Sequence, residues 1–378
     1  MRVVIVGGGV MGCATALELA NRGVKDIVVL ERAVPGAEAS SAAAGMLAAQ
    51  IESRDEDELV RFVRAREAYS GWAVALREAT GIDIAHRRSG VLAIARTEAD
   101  LDRARRDVDA QRAWGLRADL VDGSGARKIE REVCEGIAGA AYYPDEAQVD
   151  PPQLLRALVV AATRAGVIMR SGTIVSTLIT ENDRCIGVQL APSAGSPRGE
   201  VTHADAVVLA AGSWSSLVPG VPDELPQVRP VRGQLVLLEE RPPRASTILF
   251  EGHAYVVPRG DGRVICGSTM EDVGHRREVT AAGVQGILAA AIAVAPRLGE
   301  AELVRSWCNF RPSVASASGQ PLVGESPLPG LFLATGHHRN GILLAKTTAE
   351  AVADAILEGP RTERHSSGKR GAQGAATP

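Results

Sequence analysis

The chain has 378 residues, a formal net charge of −3 and a pI near 6.2, with 46 % apolar and 23 % charged residues. That balance permits a sizeable core split between two domains at roughly 100–200 residues each, and it excludes the basic face that a nucleic-acid protein presents. No segment offers the unbroken apolar run that a membrane-spanning helix needs.

Aromatics make up only 3 %, so Ala, Val and Leu must fill the interior. The cysteines Cys13, Cys134, Cys185, Cys266 and Cys308 include no CxxC pair and are odd in number. This argues against a disulfide framework or a metal site and for a reducing cytoplasm. The first apolar run, Val3 to Val6, is too short for a signal peptide.

In chain order, Arg2–Val6 reads as a β-branched strand, and Gly7–Gly12 as a glycine turn. Cys13–Arg22 is expected to be a helix, with Ala14, Leu17 and Ala20 at helical spacing; Gly23 ends it. Asp26–Leu30 follows as a second strand, which completes a βαβ unit. A long helix is expected over Glu58–Thr80, a strand over Gly90–Ala95 and a charged helix over Glu98–Trp114. Pro152–Gly166 reads as a helix entered through proline. Val167–Met169, Thr173–Leu178 and Asp205–Leu209 read as strands.

A β-rich stretch comes next, with Gly233–Leu238, His253–Val257 and Arg263–Cys266. Gly283–Ala295 reads as an Ala-rich core helix. Leu331–Ala334 is the last strand and Gly341–Glu358 the last helix. The polar tail, 359–378, is expected to be disordered. Alternation of this kind defines an α/β fold. A Rossmann-like cofactor domain (1–85, 146–224 and 306–358) is interrupted twice by an α+β substrate domain (86–145 and 225–305) built on an antiparallel sheet.

Gly7-Gly8-Gly9-Val10-Met11-Gly12 matches G-x-G-x-x-G in the required context, between a strand and a helix. Glu31 ends the next strand 19 residues beyond Gly12, against the ~20 expected. Gly7 permits the tight turn and Gly9 lets backbone approach a pyrophosphate. Gly12 permits close helix packing, and the helix N-terminus attracts phosphate charge. Glu31 is placed to accept hydrogen bonds from a ribose. The motif alone does not separate FAD from NAD. The small-residue run Ala39–Leu47, with Ser40 and Ser41, suits close approach to a large flat ligand, and its composition equally suits a surface loop.

These motifs, together with Val207–Trp214, Arg229–Gln234, His253–Arg259, Gly267–Met270, Phe310–Pro312 and Gly336–Ala345, resemble the D-amino acid oxidase superfamily of flavoproteins, and within it the glycine oxidases of the thiamine pathway. The resemblance runs from Arg2 to about Glu358. It implies non-covalent FAD and hydride transfer from the α-carbon of glycine or a similar small amine to flavin N5. Imine and hydrogen peroxide are the products, and molecular oxygen is the acceptor. A D-amino acid dehydrogenase or a sarcosine-type oxidase on the same fold is the alternative; a tRNA-modifying flavoprotein fits the charge poorly. Homo-oligomers, often tetramers, are usual in the family.

The resemblance also assigns residues. Arg311 is the partner of the substrate carboxylate, since a planar guanidinium matches it with two donors. Tyr255 shares that carboxylate, although on its own it reads as a half-buried core tyrosine. His253, two residues away on the expected strand, lines the entrance. Met270 lines the substrate cavity, and Arg339 touches flavin or substrate. The cofactor residues are Gly7, Gly9, Val10, Met11, Gly12, Glu31, Arg32, Ser40, Ser41, Ala44, Gly45, Met46, Val175 and Gly212. The loop His337, His338, Arg339, Asn340, Gly341, Ile342 and Leu343 joins them, with backbone N–H groups aimed at negative charge. The sequence departs from the family where Asn309-Phe310 precedes Arg311 in place of Gly-Leu. No side chain reads as a general base.

Overall fold

The computed structural model describes residues 1–192, 196 and 199–358; the expectation for 359–378 lies outside them. A six-stranded sheet runs in the order Leu322–Glu325, Leu331–Thr335, Ala206–Leu209, Arg2–Val6, Asp26–Leu30, Ile168–Arg170. It is parallel except at the Leu322–Glu325 edge. Its strands are apolar on both faces because both are covered. Val3 and Ile5 face the helices Val10–Asn21, Pro151–Arg164 and Gly341–Glu358. Val4 and Val6 face the antiparallel ribbon Val175–Glu181, Arg184–Leu190 and Val201–His203. Each such fully buried side chain contributes roughly 1.5–3 kcal/mol.

Local chemistry sets the helix ends. Asp55 accepts from Glu58 N and starts Glu56–Thr80, which closes at Gly81 with φ +77°. Asp150 accepts from Gln153 N ahead of Pro151–Arg164, where proline loses no needed N–H. Thr97 and Asp100 form a capping box on Glu98–Ala113.

An eight-stranded sheet runs Glu302–Val314, Val228–Glu239, Arg263–Gly267, Ala254–Pro258, Ile248–Glu251, Val91–Ala95, Gly139–Tyr143, Asp119–Asp122. It is antiparallel apart from the parallel pair Ile248–Glu251 and Val91–Ala95. One face carries Val236, Leu238 and Val256 under Ala281–Val294. The other, with Leu235, Tyr255 and Val257, gathers Ala44 from the loop after the second strand.

The helix Ala281–Val294 corrects the core-helix expectation. It buries Gly283, Ile287, Ala291 and Val294, one stripe at helical spacing, half-buries Val284 and Leu288 beside them, and exposes the opposite side. Alanine is apolar enough to mimic a core helix and small enough to stand in water at little cost. The Glu302–Val314 strand lies wholly in the eight-stranded sheet and passes through position 306, where a cofactor segment was expected to begin. The chain passes between the two sheets four times. The last helix clasps the first through Lys346–Glu18 at 2.7 Å and the Arg22–Asp354 ion pair.

Candidate active site

One cavity of about 370 Å³ runs along the carbonyl ends of the first strands and over the eight-stranded sheet. It lies within the ~300–1,000 Å³ usual for ligand pockets. The glycine turn forms one wall. Gly7 sits at φ +110°, and a Cβ there would come within 2.4 Å of the Ala210 carbonyl oxygen. A Cβ on Gly12 would come within 2.0 Å of the Gly7 carbonyl oxygen, so only glycine lets this helix start so near the strand. At Gly9 the sole neighbour within 4 Å of a built Cβ is Ser40 Oγ, at 3.1 Å, which leaves the backbone open to the cavity.

Two helix N-termini face the space, through Val10 and Met11 and through Gly341 and Ile342. Both favour negative charge. Val10 N donates to Ser40 Oγ at 2.9 Å, which fixes the small-residue segment against the glycine turn. Glu31 accepts from Gly8 N at 2.8 Å through Oε2 and from Ala33 N at 2.9 Å through Oε1. Each carboxylate oxygen has a second lone pair, so Glu31 can hold this turn and still accept from a hydroxyl. Arg32 stacks over Trp214 at 3.8 Å and pairs with Glu38 at 2.5 Å.

The eight-stranded sheet supplies the other wall. Arg311 Nη2 donates to Ser268 Oγ at 2.6 Å and Nη1 to the Thr269 carbonyl at 3.2 Å. Burial pushes its pKa below the ordinary arginine value, the neighbouring Tyr255 acts in the opposite sense, and Arg339 adds to the lowering. Two glycines make the room. A Cβ on Gly233 would lie 2.2 Å from Arg311 Nη1, and one on Gly267 would lie 2.6 Å from Tyr255 Oη. Arg339 Nη2 donates to Glu52 Oε1 at 2.6 Å, a pair with both side chains mostly withdrawn from water.

His337 is buried, with Nε2 at 2.9 Å from Thr348 Oγ1, and burial pushes its pKa down to about 3. His338 lies in the cavity wall with φ +47°. Burial and then Arg311, Arg339 and Arg54 push it down to about 4.

Most of the residues singled out from the sequence line this cavity: Gly7, Gly9, Val10, Met11, Glu31, Arg32, Ser40, Ala44, Gly45, Met46, Val175, Gly212, Tyr255, Arg311, and His337 through Ile342. Five do not. Gly12 lies beneath the turn, Ser41 stands outside the lining, and Leu343 is core at 1 % exposure. His253 is an exposed turn residue before Ala254–Pro258 rather than a strand residue, so the two-residue spacing to Tyr255 does not put both on one face. Met270 is 48 % exposed, past the end of its strand.

Glu52, Gly233, Gly267 and Trp214 were not singled out. Gly233, Gly267 and Trp214 sit inside motifs that carry the resemblance. Glu52 has no local signal, because its partner Arg339 is 287 positions away. Phe310, one of the departures, is 1 % exposed and packs edge-on to Trp214 and to His275.

A cavity with a glycine turn, a ribose acceptor and two helix N-termini at one end, and paired arginines at the other, fits a dinucleotide laid beside a carboxylate-bearing substrate. The chain belongs to the FAD dependent oxidoreductase (DAO) family, which it matches over residues 2–355, and FAD is its cofactor. It is 36 % identical to the glycine oxidase of Geobacillus kaustophilus (strain HTA426) over 358 residues, covering 94 % of this chain and 92 % of that one. It is 35 % identical to the bifunctional protein ThiO/ThiG of Trichormus variabilis, of whose length the match spans 52 %. The crystal structure of the Geobacillus kaustophilus glycine oxidase superposes with a TM-score of 0.88, covering 96 % of this chain and 95 % of the other. Among the described residues no helix is long and apolar enough to cross a membrane, and no three His, Cys, Asp or Glu side chains gather to hold a metal.

Proposed function

We propose that this protein oxidises glycine, or an amino acid of similar size, to its imine and passes the electrons to molecular oxygen as peroxide. The imine serves thiazole synthesis or hydrolyses to glyoxylate and ammonia. The observation that supports this reading most is the glycine-cleared niche of Arg311 and Tyr255 at the end of the dinucleotide cleft. Bound non-covalently, FAD supplies the hydride acceptor and its return to the oxidised state.

Arg311 grips the substrate carboxylate with two donors, and Tyr255 adds a hydroxyl. Arg339, steered by Glu52, sets the local positive charge. Positioning of this kind supplies much of a rate enhancement without a covalent intermediate. Glu31 and the turn Gly7–Gly12 hold the ribose and pyrophosphate, and the N-terminus of Gly341–Glu358 stabilises negative charge on the flavin ring. Val175, Gly45 and Gly212 line the cofactor portion. The cofactor domain takes 1–85, 146–224 and the segment that ends at 358, and the substrate domain takes 86–145 and 225–305 together with the rest of the strand through Val314. The assembly is a homo-oligomer in the cytoplasm.

Peroxide release under air from purified yellow protein, with glycine, sarcosine, D-alanine and D-proline side by side, tests the reading. Turnover led by glycine is expected. Flavin that these amines reduce without peroxide release would instead place the chain among the dehydrogenases.

A further inference from the structure

The carboxylate end of the cavity holds one base with nothing to do. Of the groups in the wall able to take a proton, Glu31 is tied to Gly8 N and Ala33 N, Glu38 to Arg32 and Arg277, and Glu52 to Arg339. His337 spends Nε2 on Thr348. His338 makes no hydrogen bond or ion pair among the described residues, and it is not one of those with a further partner. It also holds a left-handed backbone, φ +47°, which L-residues rarely adopt and which tends to persist where function requires it. That conformation, at the mouth of the last helix, keeps the ring in the cavity wall beside Arg311 and Arg339.

We propose that the His338 imidazole takes the proton from the substrate ammonium before hydride leaves the α-carbon. This rests on the reading of the substrate as an α-amino acid. An amino acid arrives with its nitrogen protonated at neutral pH, and the carbon gives up hydride only when a nitrogen lone pair can fill behind it. In the step, an N–H bond of the ammonium breaks, its electron pair stays on nitrogen, and the proton bonds to an imidazole nitrogen. The imidazolium returns its proton to water as product leaves.

The cations explain the timing. Burial, Arg311, Arg339 and Arg54 keep the ring neutral before substrate binds, while Glu52 and Glu58 partly offset Arg339 and Arg54 and the Tyr255 hydroxyl faces Arg311. A carboxylate arriving between Arg311 and Arg339 cancels part of that field. An opposite charge within ~4–6 Å favours a charged form by ~1–3 pH units. The substrate thus raises the basicity of the group that deprotonates it.

Two measurements on the FAD-loaded protein test this. In ¹⁵N-histidine spectra of the seven histidines, the His338 signal is the one lost in His338→Phe. It is expected to stay neutral from pH 8 to 5 alone, and to titrate within that window when acetate, a carboxylate with no amine, saturates the site, a rise of about one to two units. Anaerobic stopped-flow gives the second readout. Flavin reduction by glycine at pH 7.5 is expected to fall ~10²–10⁴-fold in His338→Phe, and to rise tenfold per pH unit as the ammonium deprotonates in solution. His338→Gln, which accepts a hydrogen bond but no proton, is expected not to rescue it. Acetate affinity within threefold of wild type in both variants shows a folded site.

A His338 signal indifferent to acetate, or a His338→Phe protein with wild-type reduction rate and pH profile, overturns the proposal. If glycine reduces neither protein, the substrate reading fails, and the acetate titration still decides the role of the imidazole.

Discussion

Gly233→Ala tests whether Arg311 is held where it is by an absence of atoms. The new Cβ would lie 2.2 Å from Arg311 Nη1 and 2.5 Å from both Cζ and Nη2. Ordinary contact begins near ~3.4 Å, so the guanidinium must retreat by about 1 Å, and it is the mobile end of a side chain while the Cβ is fixed to a strand. That retreat breaks the 2.6 Å bond to Ser268 and the 3.2 Å bond to Thr269. Losing hydrogen bonds to a charged group costs about 1.5–3 kcal/mol, and a 1 Å misplacement near reacting atoms costs ~10²-fold. The expectation is a KM for glycine, and a dissociation constant for acetate, raised about 10- to 100-fold, with Tm lowered by a few degrees. Gly286→Ala is the control, since nothing lies within 4 Å of its Cβ; helix propensity there favours alanine by about 1 kcal/mol. A Gly233→Ala protein with both constants within twofold of wild type would refute the packing argument.

The remaining expectations concern the groups around that niche. Arg311→Ala should raise the acetate dissociation constant at least 100-fold with the visible FAD spectrum intact; unchanged binding would remove Arg311 from the carboxylate site. Glu52→Ala leaves Arg339 without its anchor, and KM for glycine should rise severalfold with a smaller change in kcat, measured by oxygen uptake. Ser40→Ala removes the acceptor for Val10 N, and should cost about 1 kcal/mol, read as a lower Tm and weaker FAD retention. His337 has a native pKa near 3 against an ordinary 6.5. The unfolded chain therefore binds the extra proton, and this contribution to stability is full above pH 6.5 and lost as pH falls towards 3. By pH 5 the loss is about 2 kcal/mol, so denaturant titrations of wild type and His337→Phe should converge by that amount between pH 7 and 5; parallel curves would exclude the mechanism.

Legibility followed from how local each signal is. The βαβ start could be read because strand, glycine turn, helix and acidic strand end all fall within thirty-one residues. The long Glu302–Val314 strand escaped notice, though it carries Arg311. Five exposed residues precede three buried ones along it, and its pairing slips register opposite Leu237 and Leu238, so neither alternation nor a continuous apolar run marks it. The ribbon strand Arg184–Leu190 was missed for a similar reason, with register shifts between Cys185 and Gly187 and between Gln189 and Leu190. His253 was misplaced because a hairpin turn interrupts the period on which the argument relied. Glu52 was invisible because only the fold brings it to Arg339.

The clasp between the first and last helices has a consequence for biosynthesis. Residues 2–31, with the glycine turn and Glu31, are synthesised some three hundred residues before the last helix. Gly341–Glu358, which completes both the cleft wall and the cover over Val10–Asn21, leaves the ribosome last among the described elements. Until then the turn faces a cleft without its second helix N-terminus, and the first helix is packed by Pro151–Arg164 but not by Gly341–Glu358. The cleft that holds the flavin is therefore complete only after Gly341–Glu358 has been made. Slow codons or a ribosome stall before position 341 would leave a nascent chain with exposed apolar surface and an incomplete cleft.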